Sequence, residues 1–103
     1  MASRLIAYGM DFASFVIQKA KEREKIKNII LFGSVAREEA DRESDVDIFV
    51  DVVGEKNKIE NELKKCLADF NASAKYKNYW NALGIKNEIK VMVGELDEWK
   101  ELK

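Results

Sequence analysis

The sequence predicts an α/β fold in one domain over residues 1–103: a small mixed sheet of three or more strands with helices packed on it. Short apolar runs rich in β-branched residues, 26–32 and 45–53, read as strands, and 89–93 as a third. Longer segments before and between them repeat apolar residues at helical spacing. The link between the first two strands is short and permits an antiparallel pair. A long helical segment joins the second to the third, and such crossovers usually connect parallel strands.

The first helix is expected over residues 3–23, from Leu5, Tyr8, Phe12, Phe15 and Val16. Gly9 weakens it slightly. Its end is the charged run Lys19 to Lys27. Glu22 and Glu24 interleave with the lysines, so the run reads as a solvated helix end rather than an RNA or phosphate patch. Strand one ends at Gly33. Ser34 to Ala40 can form a short helix, and Asp41 to Ser44 is turn chemistry. In the second strand Val46, Ile48 and Val50 share one face, and Asp45, Asp47, Phe49 and Asp51 the other. Ile59, Leu63, Cys66, Leu67 and Phe70 mark the next amphipathic helix. Asn71 to Ala82 is ambiguous, with helix resuming after a break near 71–73 as one reading. Glu95 to Leu102 reads as a final short helix with acids in its first turn and lysines near its end.

A chain of 103 residues allows one modest core. Charged residues make up 36%, yet the net charge is -1, so no general attraction to nucleic acid or anionic membrane follows. The lone Cys66 rules out an internal disulfide and reads as buried filler in a reducing cytosol. There is no histidine, which excludes Ser-His-Asp triads and His-containing zinc sites. No apolar stretch is long enough to cross a bilayer, and the N-terminus lacks a signal-peptide layout. The expected location is the cytoplasm.

The chemistry concentrates in LFGSVAREEADRESDVDIFVDVV, Leu31 to Val53. Asp45 and Asp47 project side by side from one strand face, and paired carboxylates suit magnesium carrying a nucleotide's phosphates. Gly33 lets backbone approach a phosphate, and helix-start amides from Ser34 onward bind anions. The Ser34 hydroxyl adds a donor, and Arg37, one turn on, can neutralise phosphate charge. An antiparallel pair of strands brings these groups to one edge. Parallel pairing of strands two and three brings Glu88 near that edge as the candidate third carboxylate. Lys90 shares its face and is the competing reading. Three carboxylates around two magnesium ions would support in-line attack on the α-phosphorus of a nucleoside triphosphate. Each feature also has a plain alternative: Gly-Ser as turn chemistry, Asp-x-Asp as a solvated edge, Arg37 paired with Glu38 or Asp41. In order, and on these elements, they favour a phosphate-and-metal site.

Gly33-Ser34-Val35-Ala36-Arg37 followed by Ser44-Asp45-Val46-Asp47-Ile48-Phe49-Val50 resembles the signature of the DNA polymerase beta-like nucleotidyltransferase superfamily, and the size resembles its minimal branch. The resemblance implies that fold, ATP or another nucleoside triphosphate as substrate, magnesium as cofactor (two ions in a fully active site), and transfer of a nucleoside monophosphate. It assigns Gly33 and Ser34 to the triphosphate, with Arg37 at a recurrent position, and Asp45 and Asp47 to the metals. Some minimal members are antitoxins that transfer AMP to a tyrosine of a helical HEPN-type partner toxin. Two departures stand out. Glu38 replaces a frequent glycine, and the later strand offers Glu88 or Lys90 where the family places an aspartate. The alternative function is therefore a weak or inactive module that binds nucleotide or partner, including an antitoxin acting by occlusion. Tyr76, Tyr79 and Trp80 with Lys75 and Lys77 could stack a base or dock a partner, and core closure is the favoured reading. Trp99 with Leu96 and Leu102 covers the sheet or contributes to a homodimer contact.

Overall fold

The computed structural model describes residues 2–41 and 43–96. Its elements are α1 (Ala2–Lys19), β1 (Ile26–Phe32), α2 (Gly33–Ala36), β2 (Val46–Val52), α3 (Lys56–Ala72) and β3 (Ile89–Gly94). The strands lie in the order β1-β2-β3, with β1 and β2 antiparallel and β2 and β3 parallel. This is the mixed sheet expected from one short link and one helical crossover. The expected helix over 95–102 falls largely outside the described residues, as do Trp99 and Leu102.

The core is built where the spacing put it. Leu5, Tyr8, Phe12 and Val16 of α1 are buried, as are Ile59, Leu63, Cys66 and Phe70 of α3. The two helices meet through aromatic edges: Phe12 and Phe70 have ring centroids 5.4 Å apart, Phe15 and Phe70 5.5 Å. Gly9 has a packing reason that outweighs its low helix propensity. A Cβ there would lie 3.1 Å from Val46 Cγ1 and 3.3 Å from Leu31 Cδ1, so its absence lets α1 sit close on the sheet. Burial pushes the Cys66 thiol pKa up, as fits an inert core residue.

Three boundaries differ from expectation. Helix α1 stops at Lys19, not residue 23, and a 3₁₀ turn, Arg23–Lys25, follows. Ala20 is the last buried residue of the stripe, and the Lys21 amide donates to the Glu62 carboxylate of α3 rather than back along the helix. Glu22 pairs with Lys25 at 3.3 Å and Lys58 at 3.0 Å, so the charged run is a solvated, internally paired end. Helix α2 is a single turn because it closes at once: Glu39 N donates to Ser34 O and Glu38 N to Val35 O, the paired bonds of a Schellman motif. Strand β2 begins at Val46, leaving Asp45 just ahead of it.

The second face of β2 is less open than alternation alone suggests. Phe49 and Asp51 are buried along with Val46, Ile48 and Val50. Gly94 lies against the Phe49 ring. Asp51 accepts from Asn28 Nδ2 at 2.9 Å and from the Leu96 amide at 2.9 Å. The chain leaving β3 thus covers one end of this face, while the Asp45–Asp47 end stays partly exposed.

The ambiguous segment resolves as a break and a restart. Ser73 Oγ donates to Phe70 O at 2.6 Å and accepts from Tyr76 N at 3.2 Å, and a π-helical turn follows over Tyr76–Trp80. Trp80 is buried, and its ring lies 5.4 Å from that of Tyr8. Its Nε1 donates to Asp11 Oδ2 at 2.7 Å, and Lys75 Nζ donates to Asp11 Oδ1 at 2.9 Å. The aromatic-basic cluster therefore closes the core, with Tyr79 left half exposed.

Candidate active site

Strand β1 runs extended to Phe32, which sits opposite Asp47 in the antiparallel register. The next residue, Gly33, has φ 75°, a conformation that suits glycine. Contact supplies a second reason for glycine here. A Cβ on Gly33 would collide with Asp47 Oδ2 and lie 3.2 Å from Asp47 Cγ. The strand-to-helix bend and the Asp47 carboxylate therefore occupy one corner. Gly33 opens α2, so the leading amides of that turn, with no intrahelical acceptor, start beside the acid.

Asp45 is held at the same edge from the other side. Val46 N donates to Glu88 O at 2.9 Å, which begins the parallel pairing of β2 and β3. Asn87 Nδ2 donates to Ser44 O at 2.6 Å and pins the loop just ahead of Asp45. On the near side of that loop the Asp41 carboxylate accepts from Glu43 N and Ser44 Oγ. Those bonds, led by the Glu43 amide, hold the Asp41 pKa below the usual aspartate value.

Strand register separates Glu88 from Lys90. Lys90 sits opposite Asp47, and its Nζ lies 3.0 Å from Asp45 Oδ2. Glu88 precedes the strand and is exposed. Among the described residues no three acidic, histidine or cysteine side chains converge as a metal-binding group. Partial burial, then the neighbouring Asp45 charge, raises the Asp47 pKa, and Lys90 and Arg37 pull it partly back. The hydrogen bond to Asp45, then the Asp45, Glu88 and Asp47 charges, raises the Lys90 pKa, so the ammonium is firmly protonated.

Arg37 lies on the turn that leaves α2, and its Nε donates to Glu39 Oε2 at 3.1 Å. Its partner is Glu39 rather than Glu38 or Asp41. Both groups of that pair are well exposed, so the contact is easily exchanged. Glu38 is exposed, in the left-handed region at φ 60°. The backbone there asks for glycine for conformational reasons, and the acid side chain that stands instead is turned to solvent.

The donor set fits one divalent cation with a polyphosphate: two adjacent carboxylates beside a glycine bend and a helix start. Sequence reasoning did not single out Asn87 as a clamp on the Asp45 loop, nor Glu39 as the Arg37 partner. A lone Asn or Glu in a polar stretch carries no signal until the loops are placed.

The family model for the nucleotidyltransferase domain matches residues 14–97. The chain belongs to that family. The matched span holds the Gly33 bend, Arg37, both aspartates and all three strands, and the three-strand mixed sheet agrees with the polymerase beta-like nucleotidyltransferase fold. This places the domain among transferase enzymes. No curated protein matches the chain, and no solved structure does. Among the described residues no helix is long and apolar enough to cross a membrane.

Proposed function

We propose that this nucleotidyltransferase domain binds ATP with magnesium and moves AMP to an acceptor hydroxyl, a tyrosine of a helical HEPN-type partner being the acceptor the family resemblance suggests. The observation that carries this reading is the contact between Gly33 and the Asp47 carboxylate, because it joins a phosphate-binding bend to a metal-binding acid. Asp45 and Asp47 would hold the ion. Gly33 allows close approach of the triphosphate, and the Ser34 amide and hydroxyl donate to it. Arg37 releases Glu39 to meet phosphate charge. Magnesium bound there would lower the pKa of the acceptor hydroxyl and offset charge on the pyrophosphate. The acceptor oxygen bonds to the α-phosphorus as the bond to the β-phosphate's bridging oxygen breaks, and the pyrophosphate carries that electron pair away. The acceptor hydroxyl gives up its proton to solvent as this bond forms.

The Lys90–Asp45 ion pair supports a second reading, binding of nucleotide with slow or no turnover. Labelled ATP, magnesium and the candidate partner separate the two. The first expects label on the partner, lost by on the order of a hundredfold or more in Asp47→Asn, since even outer-shell metal partners cost 10- to 100-fold. Saturable ATP binding with no labelled product supports the second. A partner bound tightly but never labelled, with no ATP bound, would leave occlusion alone.

A further inference from the structure

We infer that Lys90 is a built-in cation that takes the place of one of two divalent ions, so that this site binds nucleotide with a single metal. The inference rests on the phosphate-and-metal reading above. Register puts Lys90 opposite Asp47, where a third carboxylate would complete a two-ion site, and its ammonium contacts Asp45 at 3.0 Å. Formal charge shows why this substitution is workable. Three carboxylates with two divalent ions sum to one positive charge. Two carboxylates, one ammonium and one divalent ion sum to the same. The field offered to a polyphosphate is then conserved although the ion count is halved.

The pair is not a structural strut. The Lys90 side chain is 56% exposed and that of Asp45 37%, and an ion pair this exposed contributes little to folding. The lysine stem is flexible, so the ammonium can leave Asp45 for a phosphate oxygen when a metal arrives at the aspartates. Glu88 also acts on Lys90 through its charge, and it adds the same negative charge to either arrangement, so the two sums stay equal.

Counting bound Mn²⁺ by electron paramagnetic resonance, with the full chain saturated by an ATP analogue that cannot be cleaved at the α-phosphorus, tests this. The wild type is expected to hold one ion per bound nucleotide, and Lys90→Asp two. In EDTA the wild type should keep measurable affinity for the analogue, and Lys90→Met should weaken it about tenfold, the scale of one lost charged hydrogen bond. Two ions in the wild type overturn the inference and leave the nucleotide site standing. One ion in both proteins, with unchanged affinity in Lys90→Met, also overturns it. No analogue binding by the wild type, with or without Mn²⁺, fails the nucleotide reading itself and the inference with it.

Discussion

Glu38 holds φ 60° at the closing position of the Schellman motif that ends α2. Left-handed backbone costs a residue with a Cβ about 1–2 kcal/mol, partly offset by the greater freedom glycine has when unfolded. Glu38→Gly should therefore stabilise the domain by about 0.5–1 kcal/mol, read as a higher urea midpoint with an unchanged slope, whereas Glu38→Val should lower it. Asp47 supplies a pH test. Its raised pKa means that the folded chain holds this proton more tightly than the unfolded chain. Stability is then present at low pH and falls as pH rises through the window above the ordinary aspartate value. In EDTA, Asp47→Asn should gain on the wild type as pH rises above the ordinary aspartate value, measured by denaturant titration at each pH. A constant gap as pH rises would contradict the assigned shift. At this scale the nearness of the glycine bend to Asp47 was readable from the sequence. The choice between Glu88 and Lys90 was not, because residues two apart share a strand face and only the register with Asp47 separates them.

At the scale of elements, the β1–α2 junction carries the site. Gly33→Ala meets both a left-handed φ and the Asp47 carboxylate. The backbone term alone should cost about 1–2 kcal/mol, and the displaced Asp47 should weaken metal binding as well, so calorimetry with Mn²⁺ and thermal unfolding should both register the change. The core helices obey a simpler rule. Leu63 is 1% exposed on α3, and Leu63→Ala should cost about 2–5 kcal/mol through lost burial and the cavity left behind. Strand existence, order of pairing and the apolar face of each helix were legible because periodicity encodes them directly. The ends of α1 and α2 were not. One is set by a contact from Lys21 to Glu62, forty-one positions away, and the other by a local turn that an acidic residue disguises. Burial of Asp51 escaped notice for the same reason, since its cover is the Leu96 amide beyond β3.

For the molecule as a whole, a central strand flanked by one antiparallel and one parallel neighbour brings the bend after β1 and the acids before and within β2 together at one sheet edge. Topology thus turns residues spread over fifteen positions of sequence into one corner. With no histidine in the chain, the two aspartates, Lys90, Arg37, Ser34 and the backbone amides are the groups this corner offers to a ligand. A titration of the ¹⁵N-labelled domain with the Mn²⁺ complex of an uncleavable ATP analogue tests their union most directly. Paramagnetic broadening should centre on the amides of Gly33 to Val35 and Asp45 to Asp47, and vanish in Asp47→Asn. Broadening centred instead on the groove between α1 and β1, around Met10, Ile17 and Ile29, would contradict it.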